Sequence, residues 1–196
     1  MEHKVRLLRI QFNTQIKHYE IELFRRGVIN KVGYEGNTLF HNHLGKADFL
    51  YQYPFIQYKQ IHQQPSIVCL EQGVEAIHSL LAFSCWDLNI GQRKVNLTIA
   101  RLDMKEEVLS IDNQQHFYKV LNWLALNKTR QKEYQELTSD QEKIVLLESI
   151  LIGNILSMSK SLGWFVDSQI AVNIHEIEHI AEVNIKGQKQ LAFTLK

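Results

Sequence analysis

The sequence predicts an α+β fold, because strand-like and helix-like patterns follow one another along the chain. Residues 5–12 alternate partly and are rich in branched apolar side chains, which is typical of a strand. Residues 21–32 repeat large apolar side chains at helical spacing, and Gly33 follows as a helix stop. Apolar residues make up 45% of the 196 residues, so the chain can bury a substantial core.

The elements of the first half follow the order strand, helix, strand, strand, helix. Residues 49–61 and 66–70 have strand patterns joined by a polar turn, and residues 73–83 carry apolar side chains at helical spacing. One more strand would complete a ferredoxin-like unit. We therefore expect the first half of the chain to fold as such a unit.

The second half continues the mixture of strands and helices. It is predicted to contain strands at 86–90, 95–102, 170–174 and 191–195 and helices at 117–126 and 144–162. The polar stretch 127–141 connects the two helices, and Thr138, Ser139 and Asp140 cap the longer one. We expect a boundary near residues 84–86, which gives domains 1–84 and 85–196, the second with a helical insertion.

Composition narrows the class of protein. Two cysteines, Cys69 and Cys85, are too few for a disulfide framework and fit a reducing compartment. The N-terminus lacks the apolar core of a signal peptide, and no apolar run is expected to be long enough to cross a membrane. We therefore expect a cytoplasmic protein with no membrane partner.

Positive charge is concentrated near the N-terminus. The whole chain has a net charge of +1, but residues 1–62 alone carry nine Lys/Arg and only five Asp/Glu, a net charge of +4. The same stretch holds five of the nine histidines and five of the seven tyrosines. Cations, aromatic rings and imidazoles together suit a single-stranded RNA site, although a solvated basic face has the same composition.

His41 and His43 are the candidate catalytic pair. On an extended chain a spacing of two points both imidazoles to the same side. Cleavage of RNA by its own 2′-hydroxyl needs a base for that hydroxyl, an acid for the leaving 5′-oxygen and positive charge at the phosphorane. Two imidazoles can supply the base and the acid without a metal. The spacing alone also fits half of a metal site, or no special role.

A second histidine pair fits a different chemistry. His175 and His179, with Glu176 between them, match the H-E-x-x-H pattern of zinc hydrolases, which requires a helix. The preceding residues 170–174 alternate as a strand does, although their spacing also fits a helix. A zinc hydrolase is therefore kept as an alternative function, and the polar face of a C-terminal strand is the simpler interpretation.

Four segments carry a resemblance to a known family. They are LFHNHL at 39–44, YPFIQYK at 53–59, NWLALN at 122–127 and LIGNIL at 151–156. Together they resemble the b-type branch of the CRISPR-associated repeat-RNA-processing endoribonucleases, the sixth Cas family. The resemblance implies two tandem ferredoxin-like, RNA-recognition-type halves. It also implies metal-independent cleavage of CRISPR precursor RNA within each repeat, without a cofactor, to give 2′,3′-cyclic phosphate and 5′-hydroxyl ends.

The resemblance places the family's paired histidines on His41 and His43. The expected catalytic residues are His41, His43, Lys59 and Tyr51, and the expected RNA-binding residues are Arg25, Arg26, Lys31, Tyr34, Lys46 and Tyr53. The expected partners are CRISPR repeat RNA and other CRISPR effector subunits, and a homodimer is left open.

The C-terminal end departs from the family pattern. Family members close with a glycine-rich loop that holds the RNA backbone, whereas this sequence stops at FTLK (193–196), where that loop would approach. The second ferredoxin-like unit is therefore expected to be incomplete at its C-terminus. A module of the same fold that binds repeat RNA without cutting it is the alternative that this departure supports.

Overall fold

The computed structural model describes residues 2–35, 37–41, 53–185 and 187–196. The chain divides into two compact units, Met1–Ser110 and Ile111–Lys196. The first contains β1 (His3–Phe12), α1 (Ile21–Val32), β2 (Ile56–Ile61), β3 (Gln64–Leu70), α2 (Gln72–Ala76), α3 (His78–Leu81), β4 (Asp87–Ile90), β5 (Arg93–Asn96) and β6 (Ile99–Leu109). The second contains β7 (Val120–Trp123), α4 (Lys128–Glu136), α5 (Asp140–Ser161), β8 (Ile177–Ile185) and β9 (Gln188–Leu195).

The first unit is built on a four-stranded sheet in the order β2-β3-β1-β6. β1 is antiparallel to both of its neighbours, β3 and β6. With α1 after β1 and the α2–α3 pair after β3, this is the βαββαβ arrangement of a ferredoxin-like unit. The short hairpin β4–β5 is inserted before the last strand. The predicted fold class is confirmed.

The core of the first unit lies between this sheet and α1. Phe24 and Val28 of α1 are fully buried against Ile10 and Phe12 of β1 and Ile67 of β3. Burying this many large apolar side chains is the main stabilising contribution to the unit. α1 ends where the sequence predicts, because Gly33 adopts φ 88°, a backbone conformation that favours glycine.

The division between the units lies later than the boundary expected at residues 84–86. β4, β5 and β6 all belong to the first unit, since β6 pairs with β1 along ten residue pairs from His3↔Leu109 to Phe12↔Ile99. β6 is therefore the last strand of the first ferredoxin-like unit. The local sequence at residues 84–86 did not indicate that the unit continues beyond it.

The second unit has a three-stranded antiparallel sheet in the order β7-β9-β8. Helices α4 and α5 stand between β7 and β8, so the described elements give the β-α-β-β part of a ferredoxin-like unit with two helices in place of one. Leu147 of α5 packs with Tyr134 of α4 and with Phe193 and Leu195 of β9 in a separate core.

Two predicted elements of the second unit are wrong. The sequence predicts a helix at 117–126, but this stretch contains β7, whose Val120 and Trp123 pair with β9. It also predicts a strand at 170–174, but the strand begins at Ile177. The backbone N–H of Ile174 instead donates to the Glu148 carboxylate on α5, 2.9 Å away, so it is not available to a strand partner.

The start of α5 agrees with the predicted cap. The Ser139 hydroxyl accepts from the Glu142 backbone N–H, and the Glu142 carboxylate accepts from the Ser139 N–H, which forms a capping box.

α5 does not meet the expectation that no apolar run is long enough to cross a membrane. α5 is 22 residues long, with a mean hydropathy of 1.4 over an 18-residue window of which 17% is buried, so by length and composition it could cross a membrane.

Candidate active site

The candidate site is assembled on the exposed side of α1 and the 3-10 turn Thr38–Phe40 that follows it. The helical spacing of three and four residues places Glu22 beside both Arg25 and Arg26. Glu22 Oε1 lies 3.3 Å from Arg25 Nη1 and 3.3 Å from Arg26 Nε. One carboxylate therefore holds two guanidinium groups, and the three side chains together carry a net charge of +1.

His41 lies immediately after the 3-10 turn and is 6% exposed. Its Nε2 is 3.1 Å from the backbone oxygen of Tyr34, and its ring lies 5.1 Å from the Tyr34 ring at a tilt of 39°. Because a carbonyl oxygen can only accept, this contact requires the hydrogen of a neutral His41 to be on Nε2. Nδ1 is then the nitrogen that carries the basic lone pair.

Two side chains from separate elements hold the backbone at His41. Arg25 Nη2 donates to the His41 carbonyl oxygen at 3.2 Å, and the Tyr58 hydroxyl donates to the Phe40 carbonyl oxygen at 3.2 Å. Both carbonyls belong to the end of the 3-10 turn, where helical partners run out. The position of His41 is therefore set by α1, by β2 and by the carbonyl of Tyr34.

Tyr58 supports the candidate site, and the sequence pattern did not reveal it. Its ring packs edge-on against Phe24 with centroids 5.9 Å apart, and burial raises the pKa of its hydroxyl well above the usual range. The hydroxyl therefore remains a hydrogen-bond donor at neutral pH. Tyr58 lies within the YPFIQYK segment, but only the fold brings it to Phe40, 18 positions away in the sequence.

Lys59 does not join this group. It follows Tyr58 in β2, and successive side chains of a strand point to opposite faces of the sheet. Tyr58 faces α1 and the 3-10 turn, so exposed Lys59 faces the other side. The expectation that Lys59 assists catalysis beside His41 is therefore not supported by the geometry, because closeness along the chain does not fix the strand face on which a side chain lies.

The other described candidates make separate contacts. Lys31 lies 5.0 Å from the centre of the Phe83 ring, at the far end of the helix. Tyr34 contacts His41 through its ring and its carbonyl. The Tyr53 hydroxyl accepts a hydrogen bond from Gln57 Nε2 at 2.9 Å. The remaining candidates, His43, Lys46 and Tyr51, lie outside the described residues.

The backbone at His41 is not extended. His41 has φ −135° and ψ −7°, because it ends a 3-10 turn and does not begin a strand. The same-side orientation expected for His41 and His43 on an extended chain therefore does not follow at this position.

The zinc-hydrolase interpretation of His175 and His179 is contradicted by the backbone. The segment is not helical, because His179 lies in β8 opposite Thr194, and His175 precedes that strand. The His175 ring stacks on Phe117 with centroids 6.2 Å apart. The two imidazoles therefore lack the one-turn helical spacing that H-E-x-x-H chemistry requires.

Both units match families of known domains. Residues 3–108 match the Cas6b N-terminal domain, and residues 110–196 match the Cas6b C-terminal domain. The chain belongs to the Cas6b family. The limits of the two Cas6b domains agree with the division of the structure at Ser110. The resemblance inferred from the four short segments is thereby confirmed.

Relatives and solved structures agree with this assignment. An uncharacterised protein of Methanocaldococcus jannaschii is 35% identical over 108 residues, which cover 55% of this chain and 72% of the relative. A crystal structure of Cas6b has 24% identity and a TM-score of 0.79 over 98% of this chain and 87% of its own. A CRISPR RNA processing endoribonuclease Cas6b has 21% identity and a TM-score of 0.66, over 98% and 86%. The structural likeness shows the Cas6b fold.

Proposed function

We propose that this chain is an endoribonuclease that cleaves CRISPR precursor RNA within its repeats. The observation that carries the proposal is the match of both units, residues 3–108 and 110–196, to the two Cas6b domains. One of the similar structures is a CRISPR RNA processing endoribonuclease Cas6b, which supports the same activity. Repeat RNA is the proposed partner, and we further propose a cytoplasmic location and association with other CRISPR effector subunits.

The proposed chemistry is metal-independent attack by the 2′-hydroxyl. His41 Nδ1 takes the proton of the 2′-hydroxyl, and the resulting oxygen attacks the adjacent phosphorus. The bond from phosphorus to the 5′-oxygen breaks, and His43 donates a proton to that oxygen. The products are a 2′,3′-cyclic phosphate and a 5′-hydroxyl. The tautomer of His41, with the Nε2 hydrogen directed to Tyr34, supports its role as the base.

Positive charge at the phosphorane is proposed to come from the α1 side of the site. Arg25 contacts the His41 carbonyl, and Arg26 is 66% exposed beside it. Because Arg25 and Arg26 share the single carboxylate of Glu22, the group keeps an excess positive charge that can attract an RNA phosphate. Electrostatic stabilisation of this kind is often the largest single contribution to catalysis.

The test is an incubation of the purified chain with repeat-containing RNA in excess chelator. Cleavage at an unchanged rate is the expected result, because two imidazoles need no Lewis acid. Loss of cleavage on chelation, restored by zinc or magnesium, would replace the mechanism with a metal-assisted one. A gel shift without cleavage under either condition would instead support an RNA-binding module, the alternative that the burial of His41 favours.

A further inference from the structure

The edge strand β6 has features that suit pairing with another strand. It is 11 residues long, contains no proline and pairs with β1 on one side only, within the part of the chain that the structure describes. Natural edge strands are usually short, or carry proline, charged side chains or a bulge, because their unpaired N–H and C=O groups attract other strands. β6 is long and lacks proline, and its register with β1 is irregular only at its first residues. Its charged side chains are of both signs, so they can attract as well as repel a second copy of the strand.

The two faces of β6 differ in chemistry. Leu102, Met104 and Val108 share one face with Glu106, and the three apolar side chains are 49%, 51% and 49% exposed. The other face carries four charges of alternating sign in the order Arg101, Asp103, Lys105, Glu107. Within one chain these charges already form two ion pairs, Arg101 with Asp103 and Lys105 with Glu107. The apolar side chains of the first face remain about half exposed to water.

We propose that this chain forms a dimer in which the β6 strands of the two copies pair with each other. The two strands are antiparallel and are related by a two-fold axis at Met104. In this register Arg101 lies opposite the Glu107 of the second copy, Asp103 lies opposite its Lys105, and on the other face Leu102 lies opposite its Glu106. Each charged pair occurs twice, as the symmetry requires. The two β6 strands join two four-stranded sheets into one continuous sheet and bring the two Met104 side chains together.

The alternation of charge selects both the partner and the register. An axis at Asp103 would place this carboxylate opposite itself, and an axis at Lys105 would place Asp103 opposite Glu107. Like charges directly opposite one another destabilise a strand pair, whereas opposite charges stabilise it. A shift by one residue would set the apolar face of one strand beside the charged face of the other. Only the axis at Met104 places each of the four charges opposite a charge of the other sign.

The proposal is tested by cysteine crosslinking of the full chain. Residues directly opposite in an antiparallel pair have Cα atoms about 4.5–5.5 Å apart, which a disulfide can span. In a Cys85→Ser background, Met104→Cys should form a covalent dimer under mild oxidation. Leu102→Cys is the matched control on the same face, because its two copies would lie roughly 13 Å apart along the strands and should stay uncrosslinked.

A charge exchange tests the same register without cysteines. Asp103→Lys places a second lysine opposite Lys105 and should convert dimer to monomer in analytical ultracentrifugation. Adding Lys105→Asp restores opposite charges and should restore the dimer, and Glu136→Lys on exposed α4 should have no effect. A monomeric natural protein, a dimeric Asp103→Lys variant, or equal crosslinking of both cysteine variants would overturn the proposal. The pairing is independent of RNA cleavage, so its failure leaves the proposed function standing.

Discussion

His41 is held in place through its ring and through the backbone at the end of the 3-10 turn. Its Nε2 meets the Tyr34 carbonyl, its own carbonyl accepts from Arg25, and the preceding carbonyl accepts from Tyr58. These contacts fix the position of His41, and a fixed position is what general base catalysis requires. They also mean that a substitution at His41 has a structural effect that must be separated from a chemical one.

His41→Ala and His43→Ala are each expected to slow cleavage at least about a hundredfold, the usual size of one acid–base contribution. RNA binding should change little. His41→Gln separates the two roles of His41, because its amide can still donate to the Tyr34 carbonyl but cannot act as a base. Single-turnover rates and melting temperatures of the three variants provide the measurement. Normal rates in both alanine variants would remove the histidines from the mechanism.

Tyr58→Phe is expected to change the alkaline stability of the first unit. The folded state holds the pKa of Tyr58 above its ordinary value, so the unfolded chain loses this proton first and stability falls as the pH rises above about 10. The variant should lose about 1 kcal/mol at pH 8 through the missing hydrogen bond to Phe40. Between about pH 9 and 11 the stability of the variant should fall less steeply than that of the natural protein. The two slopes should differ by up to about 1.4 kcal/mol per pH unit.

Urea unfolding at several pH values measures this slope. Tyr19→Phe is the matched control, since Tyr19 is 70% exposed and should leave the slope unchanged. Burial also raises the pKa of the Cys69 thiol to about 12, so Cys69 contributes to the alkaline loss in every variant. Identical slopes for the natural protein and Tyr58→Phe would show that the hydroxyl ionises as readily in the folded state as in the unfolded chain.

Among the helices, two glycines have opposite surroundings. A Cβ at Gly27 of α1 would lie 2.8 Å from the Asn89 carbonyl oxygen of β4, whereas a Cβ at Gly153 of α5 would meet nothing within 4 Å. Gly27→Ala should therefore destabilise the protein by about 1–3 kcal/mol, because helix and strand must separate. Gly153→Ala should stabilise it by up to about 1 kcal/mol through helix propensity. Thermal unfolding of the pair checks both signs, and a stabilised Gly27→Ala variant would contradict the close packing.

The elements that can be predicted well from the sequence are those with local signals. α1 carries its apolar spacing and its Gly33 stop within one segment, and α5 carries its own capping box. The apolar residues of β7 fit a helical period as well as a strand period, and only pairing with β9 decides between them. Likewise, the sequence identifies His41 from its neighbours in the chain, but the hydrogen bonds from Arg25 and Tyr58 depend on the packing of α1 and β2.

For the molecule as a whole, we expect RNA to bind on the α1 side of the first unit. Neutralising a cation that contacts phosphate should weaken binding of all RNA sequences and reduce the salt dependence by roughly one unit of log slope. Arg26→Ala should show this effect, because Arg26 is exposed on α1 next to Arg25, which contacts the His41 carbonyl. Arg25→Ala should in addition lower the melting temperature, because Arg25 holds the His41 carbonyl.

Lys59→Ala is the matched control for this titration, since Lys59 is exposed on the opposite face of the sheet. It should leave the salt dependence nearly unchanged. A larger effect at Lys59 than at Arg26 would move the RNA to the opposite face of the sheet. Unchanged affinity and slope in all three variants would place the RNA elsewhere, with the second unit as the next surface to examine.

Metal-independent cleavage by the histidine pair is tested by the masses of the products formed from repeat RNA in excess chelator. Attack by the 2′-hydroxyl predicts a 5′ fragment that ends in a 2′,3′-cyclic phosphate and a 3′ fragment that begins with a 5′-hydroxyl. Both masses should appear with the natural protein, and their rate of formation should fall at least about a hundredfold with His43→Ala. Fragments ending in a 3′-hydroxyl, or uncut RNA under these conditions, would contradict metal-independent cleavage by this site.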